Sequence, residues 1–406
     1  MPERSFLNDI LRRVAFGTRL GTPKGQSLAA MCHALVEERS EASGLVLGRE
    51  ILDHYKTASP EDRLAFFHAL ATEFGINNKA LADTIKAWSP GNDDAARALH
   101  FAAEPRSQEL IRVLNRVPGA TAHLVRMRAD LLAELPRAPE LTGLDSDFRH
   151  LFASWFNRGF LELRHIRWST PASVLEKIIA YEAVHEITGW DDLRQRVAEP
   201  DRRLFGFFHP AMPDEPLIFV EVALMDHIPG AITEIIAPTH DTLDPTDAKV
   251  AVFYSISNCQ KGLRGISFGN FLIKQVVSEL TQELPQLTTF VTLSPVPGLR
   301  RNIEDDIEIE PPDDETARRL AAQYLALAKR PNGKAHDPVA HFHLSNGAEL
   351  HAIHANADPS EAGQRNSWGV MVNYLYDPEN TETSQKAYAQ SAEIAISPKL
   401  RPLLRK

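Results

Sequence analysis

Cysteine is nearly missing from this sequence: Cys32 and Cys259 are the two present, and they stand far apart. A disulfide framework is therefore not expected to organise the fold, and a reducing compartment is the simpler reading. Long apolar runs are missing too. None approaches the roughly 18 residues a bilayer span requires, so no transmembrane helix and no membrane partner are expected. An excess of positive charge is also lacking. The formal net charge is −10, from 44 Lys and Arg against 54 Asp and Glu. Duplex binders draw affinity from a basic face that neutralises phosphates, so no nucleic-acid partner is expected. An anionic small ligand needs only a local cationic pocket and stays open. The first residues, MPERSFLNDILRRV, contain no apolar signal core, and Glu3 and Asp9 interrupt the arginines of a transit-peptide pattern. Leu404-Arg405-Lys406 is not a peroxisomal tripeptide. These absences together point to a cytoplasmic location.

What is present fits a globular protein of two domains. Apolar residues make up 43% and charged residues 24% of 406, enough to bury sizeable cores but too long a chain for one ordinary core. Residues 1 to about 160 read as helix after helix. Ser59-Pro60-Glu61-Asp62 places an N-cap, a proline at the first helical position and two acids before a helix to Phe74, in which Leu64, Phe67, Ala71 and Phe74 recur at helical spacing. Gln26–Glu38, Asp93–Ala103, Leu110–Val117 and Ala122–Leu135 show similar periodicity. From about 161 to 406 the pattern changes. His165–Trp168 looks extended, and Ser169-Thr170-Pro171 precedes a helix that it is expected to cap. Leu217–Leu224, Val250–Ile256, Phe290–Leu293, His341–Leu344, Leu350–His354 and Val370–Tyr376 read as strands. Helices are expected near Gly269–Leu280 and Asp314–Ala328, and a solvated loop over Arg300–Glu315. Strands alternating with helices predict an α+β chain: an all-α bundle at 1–160, then a mixed α/β domain at 161–406.

One local feature points to a ligand. Ser255-Ile-Ser-Asn-Cys-Gln-Lys-Gly-Leu-Arg-Gly-Ile-Ser-Phe-Gly-Asn270 follows an apolar strand and opens a helix. Gly262, Gly265 and Gly269 let backbone approach a ligand closely, and amides at a helix N-terminus favour an anion. Lys261 and Arg264 add positive charge. A pyrophosphate is the natural guest, and residues Arg264, Gly265, Ile266, Ser267, Phe268, Gly269 and Asn270 are the candidate cradle. The spacing is neither a Walker A loop nor the strict dinucleotide fingerprint. It resembles the pyrophosphate loop of GNAT-type acetyltransferases, in which a splayed strand pair holds the pantetheine arm of CoA.

Further segments carry a more specific likeness. Thr292-Leu-Ser-Pro-Val-Pro-Gly298 and Phe342-His-Leu-Ser-Asn-Gly-Ala-Glu-Leu350 are joined by Tyr181-Glu-Ala-Val-His185, Phe253-Tyr-Ser-Ile-Ser257, Gly269-Asn-Phe-Leu-Ile-Lys274 and Asn373-Tyr-Leu-Tyr376. In this order the chain resembles the malonyl-CoA decarboxylase family over about 160 to 380. The resemblance implies a helical domain used for homo-oligomerisation, as a dimer or tetramer, and a GNAT-like catalytic domain. It implies conversion of malonyl-CoA to acetyl-CoA and carbon dioxide, and so a place in malonate or fatty acid metabolism. It implies Ser294 and His343 as the central catalytic pair, Tyr376 in support, and residues 264–270 as the CoA loop. Lys177 falls where the family has a lysine linked to activity, although a helix lysine is ordinarily just solvated. The family pattern is broken at Ser267, where members carry a carboxylate.

The implied chemistry needs no metal or organic cofactor, because the thioester carbonyl is itself the electron sink. It needs donors for an enolate oxygen and a proton for carbon. His343, with an ordinary pKa of about 6.5, is expected to serve as the acid. Ser294, before a rigid Pro-x-Pro turn, is expected to orient the carboxylate or relay a proton, and Tyr376 to add a hydrogen bond. Three rivals stand beside this reading. An acyltransferase would use the same pocket without needing the Ser–His pair. A non-catalytic acyl-CoA sensor would bind without turnover. His336, His341, His343, His351 and His354 crowd into nineteen residues, but their spacing suits no common metal motif and no metal is expected.

Overall fold

Helix-start signals set the opening architecture. The computed structural model describes residues 27–38, 40–237, 239, 241–266, 268, 272–303 and 311–405. By contacts the chain divides into two units, one of residues 1–160, 210–212 and 260–267, the other of 161–209, 213–259 and 268–406.

The first unit holds α1 (Leu28–Glu37), α2 (Glu41–Thr57), α3 (Pro60–Glu73), α4 (Asn78–Ala87), α5 (Asp93–Ala102), α6 (Arg106–Leu114), α7 (Ala120–Glu134) and α8 (Thr142–Trp155). Ser27, Ser40, Ser59, Asn77 and Asn92 each cap the helix that follows by accepting a backbone N–H. The core is aliphatic and aromatic. Phe152 meets Phe148 and Phe156 edge-on with centroids 5.6 Å apart, an arrangement the ring quadrupole favours. One arginine is buried in it. Arg128 donates from Nε to Asp145 at 2.8 Å and from Nη1 to the carbonyls of Gly262 and Arg264 at 2.6 and 3.0 Å. Gly262 must be glycine here, because a Cβ would lie 1.8 Å from the Val125 carbonyl oxygen.

The second unit is a mixed sheet with helices. Besides the four-residue helix Thr233–Ile236, its main elements are β1 (Glu162–Ile166), α9 (Ala172–Tyr181), α10 (Trp190–Ala198), β2 (Arg202–Phe208), β3 (Ile218–Met225), β4 (Val250–Asn258), α11 (Leu272–Glu283), β5 (Thr289–Thr292), β6 (Ser294–Pro295), α12 (Leu299–Ile303), α13 (Asp314–Leu327), α14 (Pro338–Ser345), β7 (Glu349–His354), α15 (Glu361–Ser367), β8 (Met371–Leu375) and α16 (Thr381–Ser391). The strand order is β1-β2-β3-β4-β5-β8-β6, with β7 paired to β8. Strands β1 to β4 form an antiparallel meander, while β4 and β5 run parallel. The central strands β3 and β4 read as near-continuous apolar runs because both faces are covered.

Three expectations are corrected. His341–Leu344 is not a strand. Asp337 caps α14 through Oδ1, which accepts the N–H groups of Val339 and Ala340 at 2.9 Å, and Pro338 supplies the first helical position. The stretch Ser169–Pro171 does not cap α9 with a side chain. Thr170 Oγ1 instead accepts Arg167 N–H at 3.0 Å. Arg300–Glu315 is not one loop either. Residues 299–303 are helical and Asp313 caps α13, while residues 304–310 lie outside the described residues.

Candidate active site

The parallel pairing of β4 and β5 covers four positions, from Val250↔Thr289 to Phe253↔Thr292, and then stops. Strand β4 runs on to Asn258. The chain beyond β5 pairs instead with β8, Ser294 opposite Val372 and Pro295 opposite Met371. The two strands thus part, and a cleft of about 270 Å³ opens there. Its walls are Phe253 to Ile256 and Asn258 from β4, Val184, Ile218, Ser294, Pro295, and Pro338, Val339, Phe342 and His343 from α14. A bulge between Glu221 and Val222 in the β3–β4 register leaves Tyr254 without a partner on β3. The freed edge of β4 presents backbone donors and acceptors to the cleft.

Ser294, His343 and Tyr376 meet at this cleft although 49 and 33 residues separate the successive pairs. Ser294 Oγ lies 3.2 Å from His343 Nε2, and His343 Nδ1 lies 2.8 Å from the Tyr376 hydroxyl. All three are buried. Ser294 is fixed by the β6–β8 pairing, His343 by the last turn of α14, and Tyr376 by its N–H donating to Phe290 O at 2.8 Å. Gly347, at φ +87°, ends α14 where a Cβ would lie 2.1 Å from the Thr381 carbonyl oxygen, so a larger residue would displace the helix.

Two further residues complete the group. Ser294 Oγ donates to Thr292 Oγ1 at 2.9 Å, which also accepts the N–H of Tyr374 at 3.2 Å. The Tyr374 ring stacks on the imidazole with centroids 4.6 Å apart and planes at 20°. Sequence reasoning singled out neither. Thr292 carried a usable signal, since the two-residue period of an extended segment puts it on the same side as Ser294. One proton order satisfies every member: Tyr376 O–H to Nδ1, Nε2–H to Ser294, Ser294 O–H to Thr292.

Burial decides the charge of this chain of groups. Desolvation pushes the His343 imidazole down to about 3, so it is neutral at pH 7. The reading of His343 as an acid near its ordinary pKa is therefore corrected: the protons here sit on a neutral imidazole and two hydroxyls. The Tyr376 phenol is raised well above its usual range by the same burial and stays protonated. Among the described residues no lysine, arginine or carboxylate lines the cleft.

The remaining candidates lie apart. Lys177 Nζ donates to Asp214 O at 2.7 Å and pairs with Glu215 at 3.2 Å, and it does not line the cleft. In the glycine-rich loop Gly265 adopts φ +78°, Arg264 is exposed, and Ile266 and Phe268 are buried. Ser267, Gly269 and Asn270 lie outside the described residues. The histidine cluster is dispersed. His336 Nδ1 lies by Tyr324, His341 by Tyr388, His351 by Glu349 and His354 by Asn373. Among the described residues no group of three His, Cys, Asp or Glu is placed to hold a metal.

A helical region followed by a mixed-sheet domain, with a cleft between parted parallel strands, defines the class: a helical domain joined to an α/β domain with its cleft at a splayed strand pair. The comparisons narrow it. The malonyl-CoA decarboxylase N-terminal domain family matches residues 74–156, and the C-terminal domain family matches 159–316 and 312–406. The mitochondrial malonyl-CoA decarboxylase of Anser anser anser is 33% identical, over 86% of this chain and 81% of its own. That of Mus musculus is 32% identical over 86% and 82%. The solved malonyl-CoA decarboxylase of Rhodopseudomonas palustris superposes with a TM-score of 0.88 at 47% identity, covering 93% of this chain and 100% of that one. That of Agrobacterium vitis gives 0.87 at 46% over the same shares. The chain belongs to the malonyl-CoA decarboxylase family.

Proposed function

We propose that this chain decarboxylates malonyl-CoA to acetyl-CoA and carbon dioxide. The observation that carries the reading is the neutral Ser294–His343–Tyr376 chain at a cleft among whose described lining residues there is no cation. The pantetheine arm lies along the freed edge of β4, where backbone groups can pair with its amides. With no cation among the described residues of the cleft, the malonyl carboxylate has no countercharge there, and the site favours the state in which its charge has moved. The bond between the carboxylate carbon and the α-carbon breaks, carbon dioxide leaves, and the electron pair delocalises onto the thioester oxygen. Preorganised N–H and O–H donors stabilise that enolate. The α-carbon then takes a proton from Ser294, which is restored through Nε2–H of His343 and the Tyr376 hydroxyl. One proton from solvent balances the reaction. The carbonyl accepts the electrons, so the scheme calls for no metal or organic cofactor. The nucleotide end belongs in this reading to the loop at 264–270.

The helical unit offers a surface for self-association. Neither α4 nor α5 buries a residue, and Ile85, Trp88 and Phe101 are 56%, 46% and 70% exposed. A homo-oligomer that covers this face is part of the proposal. Two buried, unpaired cysteines fit the reducing cytoplasm, although the goose and mouse relatives carry a mitochondrial designation.

The test is incubation of the purified chain with malonyl-CoA, without added metal or acyl acceptor. Acetyl-CoA and carbon dioxide should form in equal amounts. CoA binding without turnover would favour a sensor, and product formation only with an amine acceptor would favour acyl transfer.

A further inference from the structure

A second cavity, of about 400 Å³, adjoins the other end of the Ser294–Gly298 turn. Gly298, Arg301, Asn302, Tyr324, Arg330 and His336 line it, and Pro338 lines both this cavity and the cleft. Three of these side chains are basic, one is a phenol and one an amide, and among the described residues no carboxylate lines the cavity. The walls are braced. Arg330 rests two guanidinium nitrogens on the His336 carbonyl at 3.3 Å each, which leaves its outer N–H groups for another acceptor. The Tyr324 hydroxyl lies 3.3 Å from His336 Nδ1. A Cβ on Gly298 would lie 2.3 Å from that hydroxyl, so only glycine lets the turn come this close. The neighbouring carboxylate, Asp337, is buried; its Oδ1 is engaged at the start of α14, and its Oδ2, without a hydrogen-bond partner, would lie 3.5 Å from a Cβ on Gly298.

A cavity lined by two guanidinium groups and an imidazole favours an anion. Guanidinium forks match the paired oxygens of a phosphate, and two of them, with an imidazole and a phenol, suit a dianion better than a single carboxylate. We propose that this cavity binds a phosphate monoester, held chiefly by Arg301 and Arg330. The phosphate has two available sources, the 3′-phosphate of a CoA substrate or a separate phosphorylated metabolite. The first source rests on the proposed function, and the site itself does not. Either ligand would touch both catalytic segments. Gly298 closes the turn that begins at Ser294, and His336 immediately precedes the cap of the helix that carries His343.

Calorimetric titration of the full chain tests this, with adenosine 3′,5′-bisphosphate and inorganic phosphate as separate probes. At least one should bind with a Kd of about 1 mM or tighter. The Arg301→Gln/Arg330→Gln double variant should weaken it by about tenfold or more, while Ser294→Ala leaves it unchanged. Competition then separates the sources. Displacement of the probe by malonyl-CoA but not by its dephospho analogue identifies the substrate's own 3′-phosphate, and displacement by neither identifies a separate effector. Should the double variant fail to fold, His336→Gln at the exposed rim must show the same direction of change. No binding of either probe, or binding that these variants leave intact, would overturn the proposal. Phosphate binding in a chain that does not decarboxylate malonyl-CoA would leave this site standing and remove the proposed function alone.

Discussion

The two units treat their buried polar groups in opposite ways. In the helical unit Arg128 finds Asp145 and two carbonyls, and Asp147 accepts from Ser107 at 2.6 Å and Gln108 at 3.0 Å. Among its described residues, Arg63 Nε is the single buried side-chain atom without a hydrogen-bond partner. In the sheet unit the Tyr374 hydroxyl, Asp337 Oδ2, Glu221 Oε1 and His185 Nε2 are all buried without one. Each such atom costs roughly 1–3 kcal/mol of desolvation. Buried polarity that is fully paired rivets a fold. Buried polarity left open costs stability, and in the sheet unit the Tyr374 hydroxyl belongs to a ring stacked on the His343 imidazole.

That contrast can be broken deliberately. The largest loss of stability is expected from Arg128→Met in the helical unit. It strands Asp145 without its charge partner, for which a cost of about 3–5 kcal/mol is usual, read as a shift in urea unfolding. Removing a member of the hydrogen-bonded chain at the cleft should act differently. Tyr376→Phe should lower acetyl-CoA formation by about tenfold to a hundredfold, because one member of the proton chain is gone, yet thermal unfolding should shift little.

Glu221 gives a pH-dependent case. Burial, reinforced by the charge of Glu182, raises its carboxyl to about 7. The native state therefore holds a proton that the unfolded state releases, so this group's contribution falls as pH rises from about 4.5 toward 7. Glu221→Gln should flatten that slope in unfolding curves. His343 and His185 have the reverse sign. Their imidazoles are pushed down to about 3 and about 4, so their stabilisation is present above about 6.5 and is lost as pH falls. The smallest effect belongs to Lys177→Ala. Its partly exposed pair with Glu215 is worth about 0–1 kcal/mol, and its unfolding midpoint should hardly move.

Much of this arrangement was legible before the fold was known, for identifiable reasons. Caps such as Ser59 act within four residues, so α3 could be read locally. The apolar runs of β3 and β4 were visible because both faces of those strands are buried. Ser294, His343 and Tyr376 were reached through motif resemblance rather than spacing, since sheet pairing and a helix end bring them together. The segment His341–Leu344 misled because four residues are too few to separate a strand from a helical turn, and the Asp337-Pro338 start signal outweighs them. The neutrality of His343 was invisible, because it depends on Tyr374 and the packed strand β8, which are distant in sequence. Thr292 was overlooked although its alternation with Ser294 was there to read.

In the proposed reaction, proton transfer at the cleft runs through a neutral imidazole. The most direct measurement is acetyl-CoA formation from saturating malonyl-CoA by wild type and His343→Ala, compared at each pH from about 5 to 8, a window centred on the ordinary imidazole pKa. A loss of roughly a hundred- to ten-thousand-fold is expected in the variant, by the same factor at every pH. Near-normal activity in the variant would contradict it. So would a loss that shrinks as pH rises above about 6.5, because the working form would then be the imidazolium.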